Sequence, residues 1–293
     1  MIGPALRTLR PKQWVKNFFV LAALVFSKHL LDPAFALRAI AAFAIFCALS
    51  GAVYALNDLL DVESDRKHPL KRNRPIASGA LGERAALWLS IGLAISALAA
   101  SALLAPMLAL VAGGYLVNNL AYTLYLKRIA YLDVLMIGVG FCLRVLAGGY
   151  AIDVPVSAWL LACTALLACF LGFGKRAHEL FAAEQAGSDP RETRVALGGY
   201  STPTLRFVLL LLCIGTCASY ALYTRDAQTI EFFQTDQLFW TLPFCIVGIA
   251  RFLQIALWMQ GPESPTDAIL RDWPFLLNLG AWAVSVFVII YVL

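Results

Sequence analysis

The chain has 293 residues, 61% of them hydrophobic and 14% charged, and its mean hydropathy is +0.76. Soluble domains average about 45–50% apolar and about 25% charged residues, so the composition excludes an ordinary water-soluble protein and supplies enough apolar residues for about nine crossings of ~20 residues each. The net charge of +5 would suit a polyanion such as nucleic acid, but the placement of the basic residues excludes that partner.

Nine apolar windows follow one another: Trp14 to Leu31, Ala36 to Leu60, Arg84 to Leu104, Pro106 to Leu126, Leu132 to Ile152, Ser157 to Gly174, Thr204 to Thr224, Leu238 to Trp258 and Pro274 to Leu293. Barrel strands alternate apolar and polar residues over short segments, whereas Ala85 to Leu104 is apolar all round. The expected fold is therefore all-α, a polytopic membrane helical bundle of about nine transmembrane helices forming one domain over residues 1–293. The first window is the shortest apolar stretch, because Lys16, Asn17 and Lys28 interrupt it, and it can lie partly in the membrane interface. The seven cysteines all fall inside apolar stretches with no CxxC pair, which reads as core packing, not metal or disulfide chemistry.

Of the 23 Lys and Arg residues, 18 fall on the side of the N-terminus and of alternate window ends, three on the opposite side (Lys28, Arg38, Arg225) and two, Arg144 and Arg251, well inside windows. This is a positive-inside pattern. It places the N-terminus in the cytoplasm and explains the basic charge without nucleic acid.

The second window ends in Asn57-Asp-Leu-Leu-Asp-Val-Glu-Ser-Asp65. At about 100° per residue, Asn57, Asp61 and Asp65 follow at intervals of four along one helix stripe, with Asp58 about 100° away from Asn57. Three carboxylates at a membrane boundary repel one another and lose hydration, so they call for cations. Mg²⁺ takes a few carboxylate or amide oxygens and completes its shell with water and substrate phosphate, which predicts Mg²⁺ bridging this face to a diphosphate. Arg66, Lys67, His68, Lys71, Arg72 and Arg74 follow directly, and acids beside cations suit a ligand with two anionic ends. Arg144 lies near the middle of the fifth window, where a guanidinium must face the bundle interior and an anion or carboxylate. Asn118, Asn119, Tyr122, Tyr125, Lys127, Arg128, Asp133, Lys175 and Arg176 gather at helix ends on the same, cytoplasmic side.

The NDxxDxxxD motif on a nine-helix bundle resembles the UbiA superfamily of intramembrane prenyltransferases. Members that use prenyl diphosphates carry a second acidic motif after the sixth helix; here the acids between Lys175 and Arg206 are Glu179, Glu184, Asp189 and Glu192, with no DxxxD. The blocks RPKQWVKN (Arg10 to Asn17), NDLLDVESDRKHPLKRNRPIASG (Asn57 to Gly79), YTLYLKR (Tyr122 to Arg128), LDVLMIGVGFCLRVLAG (Leu132 to Gly148) and GKRAHEL (Gly174 to Leu180) look like the polyprenyl-phosphate (decaprenyl-phosphate) phosphoribosyltransferase branch.

That resemblance implies a glycosyltransferase of the bacterial inner membrane, Mg²⁺-dependent, joining 5-phosphoribosyl 1-diphosphate to a polyprenyl phosphate, with an arabinose donor for the cell envelope as the expected use. It assigns Asn57 and Asp61 as metal ligands, with Asp58 and Asp65 completing the shell or orienting ribose hydroxyls. Lys16, Lys71, Arg74, Lys127 and Arg144 are the phosphate-binding candidates, Tyr54 a donor contact, and Lys175 and Arg176 candidates for the lipid phosphate. The rival enzyme reading is a conventional prenyltransferase with an aromatic acceptor; the rival from another class is a transporter of an anionic lipid or metabolite. Apolar helix faces serve lipid or a second copy alike, so a homo-oligomer is compatible with the sequence.

Overall fold

The computed structural model describes residues 2–68, 71–258 and 264–293, and no strand occurs among them. The helices in chain order are α1 (Ile2–Thr8), α2 (Ala22–Phe26), α3 (Pro33–Leu60), α4 (Val62–Lys67), α5 (Glu83–Leu104), α6 (Pro106–Leu124), α7 (Leu132–Ile152), α8 (Ala158–Gln185), α9 (Pro190–Thr193), α10 (Thr202–Arg225), α11 (Ala227–Phe233), α12 (Leu242–Trp258), α13 (Pro265–Ala268) and α14 (Trp273–Tyr291). Their starts follow local chemistry. The side chains of Asp32, Ser157, Ser201 and Asp272 accept the backbone N–H groups of Ala34, Leu160, Thr204 and Phe275, and proline stands in the first turn of α3, α10 and α14.

Eight segments among the described residues are long and apolar enough to cross a membrane, which makes this a multi-pass membrane protein. They correspond to the second to ninth windows of the sequence. The first window is not a regular helix: Pro11–Leu21 is a 3-10 helix that passes into the short α2, bounded by Arg10 and Lys28 in the left-handed backbone region (φ 51° and 63°). The polar residues that weaken this window also explain its shape, since Asn17 turns inward to donate to Ser50 Oγ at 3.1 Å and lies near Cys47 Sγ at 3.3 Å. At about 2.0 Å rise per 3-10 residue and about 1.5 Å per α residue, this broken segment is roughly 30 Å long. A second difference concerns α8, which continues past Gly174 to Gln185 and so keeps Lys175, Arg176 and Glu179 on a helix.

The chain forms two compact units, Met1–Leu124 with Gly140–Val156, and Tyr125–Val139 with Ser157–Leu293. In the first, the broken segment runs antiparallel to α3: Arg10 reaches Asp58 near the C-terminal end of α3, Asn17 meets Ser50, and Ala23 and Leu24 pack with Ala39. Val20, Ala42, Phe46, Leu49, Leu108, Tyr115 and Ala147 form the core of this unit. Small residues allow its close approaches. A Cβ on Gly148 would lie 1.9 Å from the Val20 carbonyl oxygen, whereas one on Gly92 would meet nothing within 4 Å. Gly148→Ala is therefore expected to lower stability by about 1–3 kcal/mol, while Gly92→Ala stays at or slightly above wild type. Paired thermal melts in detergent check this, and equal melting of the two variants would refute the close approach.

At the opposite end of α3, Arg38 donates from Nε to the Ala151 carbonyl (2.7 Å) and from Nη2 to the Leu104 carbonyl (3.3 Å). One cation thus satisfies carbonyls that the C-terminal turns of α7 and α5 leave open. In the second unit, Val134, Phe170, Phe173, Leu197, Leu205, Leu209 and Phe252 form the core.

Candidate functional site

In the first unit, α3 ends at Leu60, Asp61 turns the chain (φ −93°, ψ 6°), and α4 begins at Val62. Asp58 and Asp65 are seven residues apart, about two turns, and so face the same way to within about 20°. Both side chains are 3% exposed, and one nitrogen joins them: Arg74 Nη1 donates to Asp58 Oδ1 at 3.0 Å and to Asp65 Oδ2 at 2.7 Å. This corrects the expectation that sets Asp58 apart from Asp65. The Arg74 loop is aimed by packing, because Ile76 and Leu81 bury themselves against Val62 and Ala86.

Arg10 closes the other side. Its guanidinium donates to Asp58 Oδ1 and stands 5.1 Å over the ring of Tyr54. Its backbone is in the left-handed region that costs a non-glycine residue of order 1 kcal/mol or more, so the contact is held against local strain. Two buried carboxylates thus meet two cations, while Asn57 and Asp61 remain half-buried beside them. The exposed Arg66 pairs with Glu63 and Glu83, both at 2.8 Å, and exposed pairs of this kind contribute little.

The donor set at this end consists only of carboxylate and amide oxygens, the chemistry Mg²⁺ prefers. Among the described residues, no three His, Cys, Asp or Glu side chains are placed to hold an ion unaided. An ion here would draw the rest of its shell from water and phosphate, so the residues fit Mg²⁺ held together with a phosphorylated ligand.

Farther along the same unit, Arg144 is 6% exposed. It donates to Asn17 Oδ1 (2.8 Å), the Gly140 carbonyl (3.0 Å) and the Tyr115 hydroxyl (2.8 Å), with the rings of Tyr115 and Phe141 at 4.8 and 5.2 Å.

The second unit holds a separate polar cluster. Asp133, at the start of α7, is fully buried, and Arg176, 2% exposed, stands 2.9 Å away through Nε in charge contact without an aligned hydrogen bond. Arg176 also pairs with Glu179, and Arg194 lies 3.7 Å from Glu179 and 3.9 Å from Asp133. The Tyr200 hydroxyl donates to Asp133 and accepts from the Tyr131 N–H. Burial, reinforced by Asp133, pushes the Tyr200 phenol well above its ordinary range, so it remains a donor at neutral pH. Arg176, expected to meet a lipid phosphate, is thus held between two carboxylates.

Of the other expected residues, Lys16 and Lys71 are exposed, and Tyr54, Lys127 and Lys175 half-buried. Lys127 lies in a 3-10 turn, Leu126–Arg128, of the second unit. Sequence reasoning left out Arg10, Asn17 and Tyr115 in the first unit and Glu179, Arg194 and Tyr200 in the second. Arg10 and Asn17 bound the RPKQWVKN block, and the i, i+7 spacing of Asp58 and Asp65 was open to reading; Tyr200 and Arg194 carry no local signal.

Residues 17–189 match the UbiA prenyltransferase family. Decaprenyl-phosphate phosphoribosyltransferase of Mycolicibacterium smegmatis is 34% identical over 99% of this chain and 93% of its own length; that of Mycobacterium tuberculosis is 34% identical over 98% and 94%. A UbiA homologue from Archaeoglobus fulgidus, solved bound to DMAPP and Mg²⁺, superposes with a TM-score of 0.71 at 20% identity over 99% of both chains. A match across more than half of the chain, with relatives similar from end to end and a shared fold, shows that this chain belongs to the UbiA prenyltransferase family.

Proposed function

We propose that this protein transfers the 5-phosphoribosyl group from 5-phosphoribosyl 1-diphosphate to a polyprenyl phosphate, giving polyprenyl-phospho-ribose 5-phosphate and diphosphate. The observation that carries this reading is the near full-length similarity to named decaprenyl-phosphate phosphoribosyltransferases, whose acceptor is in their name. The family match and the relatives run across both compact units, so we take residues 1–293 as one functional domain.

In the reaction, the bond from ribose C1 to the diphosphate oxygen breaks and a bond from C1 to a lipid phosphate oxygen forms. The lipid phosphate is already an anionic nucleophile, so no strong general base is needed. Asn57 and Asp61 would hold Mg²⁺, with Asp58 and Asp65 fixed behind them by Arg10 and Arg74. When bound, Mg²⁺ supplies positive charge that stabilises the departing diphosphate. Lys16, Lys71 and Lys127 are assigned to donor phosphates, Tyr54 to the donor, and Lys175 to the lipid phosphate with Arg176 as a positioning residue. The positive-inside pattern supports a cytoplasmic N-terminus, with this chemistry on the cytoplasmic side of a bacterial plasma membrane.

The test is transfer of ribose-labelled 5-phosphoribosyl 1-diphosphate to polyprenyl phosphate by purified protein in detergent. Label in the lipid phase that disappears with EDTA supports the reading. Failure of that transfer, together with prenylation of an aromatic acceptor from a prenyl diphosphate, would replace it with conventional prenyltransferase activity.

A further inference from the structure

Arg144 is a buried cation that no carboxylate neutralises among the described residues. Arg10, Arg74, Arg176, Arg194 and Arg251 each pair with an Asp or Glu, whereas the partners of Arg144 are an amide oxygen, a main-chain carbonyl and a phenol. Neutral acceptors and ring faces offset only part of the cost of a guanidinium placed within a membrane helix. A ligand anion would supply the rest.

The surroundings are built to donate. A guanidinium has five N–H donors, and three are used in these contacts. The Tyr115 hydroxyl accepts from Arg144 and has no acceptor of its own among the described residues. The Asn17 amide nitrogen is turned toward Ser50 and Cys47, which directs its oxygen at Arg144. Gly140 has no side chain to intrude: a Cβ there would stand 3.5 Å from Arg144 Nη1 and 3.6 Å from Asn118 Nδ2.

Position narrows the anion. Ser50, Tyr54 and Asp58 stand at intervals of four along α3. Asn17 and Arg144 adjoin the Ser50 level, and Arg10 bridges Tyr54 and Asp58. Ser50 and Asp58 are eight residues apart, about 12 Å along the axis. A donor whose diphosphate meets the acidic end would carry its second anionic group toward the level of Arg144. A prenyl diphosphate would instead lay hydrocarbon there and leave the guanidinium unmatched.

Resting on the phosphoribosyl-transfer reading, we propose that Arg144, with Tyr115 and Asn17, forms a phosphomonoester site that receives the 5-phosphate of the donor and so selects a phosphoribosyl over a prenyl donor. Polyprenyl phosphate carries the same chemical group and is the alternative source.

The test compares wild type with Arg144→Gln, using ribose 5-phosphate and inorganic diphosphate as separate probes. Each is measured by the rise in melting temperature it causes and by inhibition of transfer. The expected result is loss of about tenfold or more in ribose 5-phosphate affinity, as befits a charged hydrogen-bond partner, with diphosphate affinity within about twofold of wild type. A raised KM for polyprenyl phosphate with ribose 5-phosphate unaffected would keep the phosphomonoester site but assign it to the acceptor. No change in either, or loss of diphosphate alone, would overturn the proposal. Should Arg144→Gln fail to fold, Tyr115→Phe keeps the charge and removes the hydroxyl; unchanged ribose 5-phosphate affinity in that variant would overturn it too. Because the melting measurement needs no turnover, absence of transfer by wild type would defeat the functional reading separately from the site.

Discussion

Asp61→Ala is expected to lower phosphoribosyl transfer on the order of 10²-fold or more while leaving the protein folded. The size follows from losing a group that holds positive charge against the leaving diphosphate. The folding expectation follows from what Asp61 contributes as main chain: its N–H donates to the Asn57 carbonyl at 3.0 Å, and its carbonyl accepts the Asp65 N–H at 2.8 Å and Ser64 Oγ at 2.8 Å. Alanine retains all three. Asp58→Ala is a poorer test, because it leaves Arg10 and Arg74 beside an apolar hole, so lost activity and lost structure coincide. Rate against Mg²⁺ concentration, with a melting curve on the same sample, separates the two effects. Full activity of Asp61→Ala would exclude it as a metal ligand.

Arg176→Met is expected to cost about 3–5 kcal/mol of stability, since removing one member of a buried ion pair strands the other. Asp133 is fully buried; of its remaining partners the Tyr200 hydroxyl is a neutral donor, and Arg194, part-exposed and 3.9 Å away, offsets only part of the lost charge. A double variant, Asp133→Leu with Arg176→Met, is expected to recover much of the loss, because apolar replacement of a whole buried pair is often nearly neutral. Thermal melting of the two single variants and the double variant gives the coupling directly. If Arg176→Met melts like wild type but raises the KM for polyprenyl phosphate, Arg176 is a ligand for the lipid phosphate, as the sequence suggests, and the ion pair is incidental to stability.

Much of this protein can be read without coordinates, for a definite reason. Crossing helices are set by length and hydropathy, so seven of the nine windows emerge as helices with bounds a few residues from those expected, and an eighth, α8, emerges as a helix that runs on past Gly174 to Gln185. The acidic cluster is legible because charges at a membrane boundary are rare enough to be conspicuous. What is not legible depends on partners distant in sequence. Arg10 looks like one topological cation among several until Asp58, 48 residues away, is seen against it. Asn17 looks like a blemish in an apolar window until Arg144, 127 residues later, binds its oxygen. The broken geometry of Pro11–Phe26 follows from the same contact, because the segment obeys its polar partners and not its own hydropathy.

That segment also imposes an order on biogenesis. Asn17 finds its first partners, Cys47 and Ser50, soon after α3 is made, but Arg144 and Gly148, which fix its inner side, leave the ribosome only much later. The Pro11–Phe26 segment therefore waits, loosely placed beside α3, until α7 arrives to lock it. A segment synthesised more than a hundred residues before its last partner is thus among the last to settle, and a ribosome paused before residue 144 would hold a chain whose Pro11–Phe26 segment is still open to chemical labelling.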